Sequence, residues 1–276
     1  MLNHNGVVLL HGPPGSGKTT LCKALAQKVT IRQSKSFTGG RLVEVNCQEL
    51  LSRWFGESAK RLSKLFDDIA TMAEEDDGEN LVCVLFDEVE TLARARELTG
   101  DTPDAMRVTN QLLTCLSNIK EKPNILVLCT SNLFGVLDKA FLDRCDVVQE
   151  IPGPGQGAAY VIFAQCLNTL LDIGQVVFPD LCDVHYVENC GSCKRRLQPR
   201  FPNPSEVRVR FRDLLSTPQN YLWRIAEASV GLSGRNMRRL PVQALTKYTY
   251  ITPRTVQEAL SALHRLVTEE KIKPTL

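Results

Sequence analysis

No apolar run in this 276-residue sequence approaches the roughly 20 residues that are needed to span a bilayer. The polar, uncharged segment 1–5 precedes an apolar run of only four residues, so we expect no secretory signal. The formal net charge is only +2, and no overall field favours nucleic acid or an anionic membrane. We find no internal repeat. Hydrophobic residues make up 43% and charged residues 23%, which is typical of a globular protein with a sizeable core.

The ten cysteines are scattered along the chain. Several of them, such as Cys83 and Cys129, lie inside apolar runs, where a small buried thiol is the simplest interpretation. This usage predicts a reducing intracellular compartment and argues against a disulfide framework.

Short apolar runs alternate with helical patterns through the first half of the chain. Four runs predict strands: 7–10, 42–45, 81–86 and 125–129. Stripes at a spacing of three or four residues predict the buried faces of helices: Leu21, Leu25 and Val29; Leu62, Leu65, Phe66, Ile69 and Ala73; and, after a helix start at Thr102-Pro103, Val108, Leu112, Cys115, Leu116 and Ile119. The alternation predicts an α/β fold in which a parallel sheet lies between helices.

The pattern changes at residues 151–155, where two Pro-Gly pairs indicate a hinge or a linker. We therefore predict a larger α/β domain over 1–151 and a smaller, mostly helical domain over 152–276. A basic, proline-rich insertion occupies about residues 174–220 of the second domain. From Lys194 to Arg212 it has seven Lys and Arg residues against one acid, but few aromatic residues, so we interpret it as a solvated face and expect no direct contact with nucleic acid.

Four possible metal ligands lie in this insertion: Cys182, His185, Cys190 and Cys193. Two close pairs of soft ligands can bind zinc. The loop between the pairs has only four residues, which is shorter than in common zinc modules, so a flexible basic insertion is the favoured interpretation.

The segment from Gly12 to Thr19 matches the pattern of a phosphate-binding loop. It follows a predicted strand and opens a predicted helix, so backbone N–H groups and the helix N-terminus can surround phosphate oxygens. Lys18 can reach the β- and γ-phosphates, and Thr19 can bind magnesium. A dinucleotide fingerprint fits less well, because its third glycine position is Thr20. The predicted nucleotide-binding residues are Gly12, Pro13, Pro14, Gly15, Ser16, Gly17, Lys18, Thr19 and Thr20.

Polar residues follow the later strands. Asp87 and Glu88 come directly after the strand 81–86, where they would emerge at its carboxyl end beside the phosphate loop. Asp87 can hold magnesium, and Glu88 can orient and deprotonate an attacking water, which a nucleoside triphosphate hydrolase requires. Asn132 follows the strand 125–129, and its amide can hold this water or contact the γ-phosphate.

Two arginines complete the set of candidates. Arg144 lies where an arginine could be presented outward, and Arg235 ends the segment 231–235 before a helical pattern in the second domain. Each could equally be an ordinary surface residue, so the assignment of the two arginines depends on their occurring together with the phosphate loop, the acidic pair and Asn132.

The phosphate loop, the acidic pair, Asn132 and the two arginines, taken in this order, resemble the motifs of the AAA+ ATPases. Within these ATPases the sequence is similar to the pachytene checkpoint protein 2 family, also called thyroid receptor-interacting protein 13. The resembling segments are 7–28, 52–58, 87–90, 107–110 and 130–132. The similarity covers about residues 6–172 densely and resumes at about 226–266. The phosphate loop is shared by many ATPases, whereas the combination is specific to few.

The resemblance implies an ATP- and magnesium-dependent AAA+ domain followed by a small helical lid. It also implies a homohexameric ring that remodels HORMA-domain client proteins, with or without an adaptor, in meiosis and the spindle checkpoint. The implied location is the nucleus, on chromosomes, with the cytoplasm as a second location. The implied roles are Walker A for Lys18 and Thr19, Walker B for Asp87 and Glu88, first sensor for Asn132, second sensor for Arg235, a finger toward the neighbouring subunit for Arg144, and a pore lining for Trp54 and Phe55.

The sequence departs from the family at several points. Many AAA+ proteins have two arginines where only Arg144 stands here, and the composition of residues 174–220 differs. Because the chain begins six residues before its first predicted strand, we expect the family's substrate-recruiting N-terminal domain and the linker beside the adenine to be absent. Two alternatives stay open: a nucleotide-binding subunit that does not remodel substrates, and another AAA+ activity such as microtubule severing.

Overall fold

The computed structural model describes residues 6–52, 57–95, 103–178, 200–210, 217–249 and 253–272. The chain divides into two compact units between Pro152 and Gly153. Within the described ranges, no helix is both long enough and apolar enough to cross a membrane.

The first unit is built on a parallel sheet of five strands, β1 (Val7–His11), β2 (Gly39–Asn46), β3 (Asn80–Asp87), β4 (Ile125–Ser131) and β5 (Val147–Glu150). Their order across the sheet is β2-β3-β4-β1-β5. All pairs are parallel, so the carboxyl ends of the strands lie along one edge of the sheet. The predicted parallel sheet is confirmed, and β4 separates β1 from β3.

The four predicted strands are all present; β2 and β3 extend beyond both predicted ends, and β1 and β4 extend only at the carboxyl end. The fifth strand, β5, was not predicted. All four of its residues are exposed, because β5 lies at the edge of the sheet and pairs only with β1. An exposed edge strand does not require a continuous apolar run, which explains why the pattern missed it.

The helices of this unit are α1 (Lys18–Arg32), α2 (Cys47–Ser52), α3 (Ser58–Glu74), α4 (Pro103–Ile119) and α5 (Lys139–Leu142). The predicted faces of α3 and α4 are confirmed, since Leu62, Phe66, Leu112 and their neighbours at helical spacing are buried. The ring of Phe66 stacks on that of Phe86 in β3, with 5.7 Å between centroids. This packing anchors β3, and with it the acidic residues at its end.

The predicted buried face of α1 is only partly right, since two of its three residues are partly buried against the core and the third is exposed. Leu21 is 43% exposed, whereas Lys18, Cys22 and Ala26 form the buried stripe. The small side chains of Cys22 and Ala26 share a core cluster with Leu10 and other strand residues. Small residues at these positions let the helix lie close to the sheet. As a result, Lys18 begins the buried face of α1 directly after the phosphate loop.

The second unit contains five helices among the described residues, α6 (Gln156–Asp172), α7 (Pro204–Arg210), α8 (Pro218–Ala228), α9 (Gly234–Tyr248) and α10 (Val256–Ile272). This unit also contains two short parallel strands of two residues each, β6 (Val176–Val177) and β7 (Arg254–Thr255). The helices pack on their own core, which includes Tyr160, Leu222 and Leu263. The predicted small, mostly helical domain is confirmed.

Part of the predicted basic insertion belongs to this core. Phe201 is 5% exposed and Val207 is 2% exposed, so residues 200–210 are not a purely solvated loop. Arg200 forms an ion pair with Asp172 of α6 at 2.7 Å. The proposed zinc ligands Cys182, His185, Cys190 and Cys193 lie outside the described residues.

Candidate nucleotide-binding and hydrolysis site

The phosphate loop connects β1 to α1 and turns at three glycines. Gly12, Gly15 and Gly17 have φ values of 146°, 74° and 93°, in the region that glycine adopts far more readily than other residues. The backbone N–H of Ser16 donates to the carbonyl of Pro13 at 3.3 Å, which closes the turn. The hydroxyl of Ser16 is buried and has no hydrogen-bond partner among the described residues. A phosphate oxygen can supply the missing partner, and the loop therefore fits a nucleotide phosphate.

Lys18 is 6% exposed, and its ammonium group already donates three hydrogen bonds within the protein. Its Nζ donates to the carbonyls of Gly12 and Pro13, both at 2.9 Å, and to Oδ1 of Asn132 at 2.8 Å. An ammonium group has three protons, so a phosphate oxygen that binds Lys18 has to replace one of these acceptors. Burial lowers the pKa of Lys18, and the nearby carboxylates, with Glu90 the strongest, oppose this shift.

Asp87 ends β3 and accepts hydrogen bonds from two hydroxyl groups. Oγ1 of Thr19 donates to Oδ1 of Asp87 at 2.9 Å, and the hydroxyl of Thr130 donates to the same oxygen. Hydroxyl and carboxylate oxygens are ligands that Mg²⁺ prefers. No group of three His, Cys, Asp or Glu side chains within the described ranges is arranged to hold a metal. The donor set fits magnesium bound by one or two protein ligands together with substrate phosphates.

Glu88 follows Asp87 with a left-handed backbone, at φ 57° and ψ 51°. Its carboxylate accepts a hydrogen bond from Nε2 of Gln48 at 2.7 Å and another from Nδ2 of Asn132 at 3.2 Å. These contacts hold the carboxylate at the carboxyl edge of the sheet. A cavity of about 480 Å³ opens there, and Thr19, Asp87 and Glu88 all line it.

Asn132 links the two halves of the site. Its amide oxygen accepts from Lys18, its amide nitrogen donates to Glu88, and its backbone N–H donates to Oε1 of Glu90 at 3.0 Å. Lys18 and Glu88 are therefore joined through one side chain. This arrangement can orient a water molecule against a bound phosphate and remove its proton.

Sequence reasoning assigned no role to three residues of the site. Gln48 and Thr130 contact the acidic pair, and Glu90 is 8% exposed, with Oε2 lacking a partner among the described residues. A signal existed for Thr130, because a hydroxyl residue interrupts the apolar pattern of a buried strand. Gln48 carried no such signal, since it is the second residue of the short helix α2 and follows no predicted strand directly.

The remaining candidates are not part of this hydrogen-bonded group. Arg144 is half-buried, and its guanidinium donates to Oγ of Ser117 at 3.2 Å and to the carbonyl of Ala140 at 2.7 Å. Arg235 lies exposed in the first turn of α9, in the second unit. Trp54 and Phe55 lie outside the described residues.

Two family profiles match the chain. Residues 8–153 match the "ATPase family associated with various cellular activities (AAA)", and residues 155–271 match the "TRIP13-like, AAA+ ATPase lid C-terminal domain". The chain thus belongs to the AAA+ ATPases, in the pachytene checkpoint protein 2 (TRIP13) family.

Curated relatives and solved structures agree with this family. The chain is 41% identical over 247 residues to the pachytene checkpoint protein 2 homolog of Arabidopsis thaliana, with 88% of this chain and 51% of the relative covered. It is 39% identical over 275 residues to the homolog of Homo sapiens, with 98% and 59% covered. The chain spans between half and three fifths of the length of these relatives.

Among solved structures, the fold is similar to that of C. elegans PCH-2. That comparison has a TM-score of 0.75 and 33% identity, and it covers 99% of this chain and 64% of the other. The fold is also similar to a chain in the E. coli MS115-1 HORMA:CdnC:Trip13 complex. In that case the TM-score is 0.67 and the identity 17%, with 99% of this chain and 76% of the other covered.

Proposed function

We propose that this chain hydrolyses ATP with magnesium and uses the reaction to remodel HORMA-domain proteins. The observation that carries the proposed hydrolysis is the continuous contact from Lys18 through Asn132 to Glu88, beside Asp87 and Thr19. Family membership supports ATP as the nucleotide.

In this proposal, each residue of the site has a defined task. The phosphate loop and Lys18 bind the β- and γ-phosphates, while Thr19 and Asp87 hold magnesium, which offsets phosphate charge when bound. Glu88 accepts the proton of the attacking water, and Asn132 orients Glu88 and the water. The hydrogen bonds that Glu88 receives from Gln48 and Asn132 hold its carboxylate in a fixed orientation for this step.

The test of hydrolysis is Glu88→Gln. The amide keeps the size of the side chain but cannot take up a proton from water. We expect turnover to fall by at least about 100-fold, as for the loss of a general base, while ATP affinity stays within about threefold of the parent. Glu121→Gln, in an exposed turn, is the matched control and should behave as the parent. A Glu88→Gln variant that turns over at the parental rate would contradict the assignment.

We further propose that the chain works in a homohexameric ring, with Arg144 reaching the ATP of a neighbouring subunit and Arg235 acting as the second sensor. The family supports this assembly, and we extend it to meiotic and spindle-checkpoint function in the nucleus. A complex that contains a HORMA protein has been solved for a protein of the same fold. The proposed clients are therefore HORMA-domain proteins.

Remodelling is tested separately from hydrolysis. The chain is assayed both alone and joined to the remaining length of a curated relative, because it spans only 59% of the human homolog. Conversion of a purified HORMA protein between its folded conformers is followed by ion-exchange chromatography with ATP. We expect conversion by the joined chain and none with Glu88→Gln. ATP hydrolysis without conversion by the joined chain would favour a subunit that does not remodel this class of client.

A further inference from the structure

Thr130 lies in β4 directly beside the two acidic residues at the end of β3. The register pairs Phe86 with Cys129, so the next residues along the two strands, Asp87 and Thr130, lie abreast. Thr130 is 1% exposed. Its hydroxyl donates to Oδ1 of Asp87 and accepts the backbone N–H of Glu88 at 3.1 Å. One buried hydroxyl thus contacts both acidic residues at once.

The backbone of Glu88 requires this kind of support. Glu88 is one of two non-glycine residues with positive φ in the described ranges, and such residues persist only where their surroundings hold them. On one side, Thr130 accepts its N–H. On the other side, Thr91 donates its backbone N–H to the Glu88 carbonyl at 3.1 Å and its hydroxyl to the same carbonyl at 3.0 Å. The left-handed turn is therefore held at both peptide groups of Glu88.

We propose that Thr130 is a positioning residue for ATP hydrolysis. Its hydroxyl holds Glu88 in the left-handed turn that brings its carboxylate to Asn132, and it fixes the rotamer of Asp87. This inference rests on the proposed ATP hydrolysis and adds a residue that belongs neither to the phosphate loop nor to the acidic pair. Thr130 acts only through Asp87 and Glu88, because its single proton is donated to Asp87, its hydroxyl accepts the N–H of Glu88, and at 1% exposed it is closed to solvent.

The discriminating substitutions are Thr130→Val and Thr130→Ser. Valine has nearly the shape of threonine but neither donates nor accepts a hydrogen bond, so it leaves the Glu88 N–H without its partner. Serine retains the hydroxyl. Cys129→Ala is the control for the strand, because Cys129 is equally buried but its side chain lies on the opposite face of the sheet.

We expect Thr130→Val to lower kcat about 10- to 100-fold, the range for loss of a residue that orients a catalytic group, with ATP affinity within about threefold of the parent. Thr130→Ser should retain most of the parental kcat, and Cys129→Ala should retain kcat even where it lowers the Tm. Parental kcat in Thr130→Val would overturn the proposal. So would an equal loss in Thr130→Ser and Thr130→Val, or a loss that follows the Tm across all three variants.

A second measurement does not depend on turnover. Hydrogen–deuterium exchange of the segment 87–92 should be faster in Thr130→Val than in the parent, Thr130→Ser or Cys129→Ala, because the N–H of Glu88 loses its acceptor. If the parent itself does not hydrolyse ATP, the proposed function fails, and unchanged exchange would independently overturn the role of Thr130. Faster exchange together with parental kcat would show that Thr130 holds the backbone without serving hydrolysis, and would also overturn the proposal.

Discussion

At Gly12 the phosphate loop leaves no space for a side chain. A Cβ added there would lie 2.2 Å from the carbonyl oxygen of Ile151 and 3.1 Å from its carbonyl carbon. These are backbone atoms that rotamer changes cannot move, and the N–H of Ile151 is itself bonded to the carbonyl of His11 at 2.7 Å. Gly12 also has a φ of 146°. Gly12→Ala therefore combines a steric clash with an unfavourable backbone conformation.

The two contributions can be separated by comparing glycines. The conformational cost is about 1–3 kcal/mol for a non-glycine residue in a sparsely populated region. Overpacking against fixed atoms adds about 1–3 kcal/mol. Gly17→Ala carries only the conformational cost, because its φ is 93° and nothing lies within 4 Å of its added Cβ. Gly135→Ala carries neither cost, since its surroundings are equally open.

The assay is urea denaturation of the three variants, followed by circular dichroism, with ATP affinity measured alongside. We expect the loss of stability to rank Gly12→Ala above Gly17→Ala above Gly135→Ala, with about 2–6 kcal/mol for the first and less than about 0.5 kcal/mol for the last. Gly12→Ala should also weaken ATP binding. A Gly12→Ala protein as stable as Gly135→Ala would refute the reasoning from the close approach of Ile151.

Three further predictions concern the site and its surroundings. Asn132→Ala should lower kcat at least about 10-fold at saturating ATP, because the amide no longer orients the general base; an unchanged steady-state kcat would contradict this. Burial raises the pKa of Cys22 to about 11 and of Cys47 to about 12, so both thiols should resist alkylation at pH 8 until urea is added, as read by mass spectrometry. Mixing Arg144→Ala with Lys18→Ala subunits should restore some ATPase activity, and no rescue in demonstrably mixed assemblies would argue against a finger acting between subunits.

The phosphate loop and the strand pattern could be predicted from the sequence for physical reasons. A loop that surrounds phosphate requires glycine at positions with positive φ. The glycines at positions 12, 15 and 17 therefore indicate the backbone geometry directly in the sequence. Strands buried on both faces of a parallel sheet have to be apolar, and β3 is buried through six consecutive residues. Such constraints are local, and they leave a visible pattern.

The buried face of α1 could not be predicted in the same way. The rule that large apolar residues mark the buried face selected Leu21, which is 43% exposed. What decides this face is the distance between helix and sheet, and a close approach favours Cys22 and Ala26 over leucine. That distance is a property of the packed unit and does not follow from the spacing of residues along the helix.

The arrangement of the proposed site depends most on the order of the strands in the sheet, which the chain order does not reveal. Chain order places β1 and β3 on either side of β2, yet β4 lies between them in the sheet and β2 is at the edge. The residue after β4 is therefore inserted between the phosphate loop and the acidic pair. Asn132 occupies this place, and it is polar at both ends, accepting from Lys18 and donating to Glu88. A carboxylate there would repel Glu88, and an apolar residue would make no hydrogen bond to either Lys18 or Glu88, so the strand order itself explains why an amide follows β4.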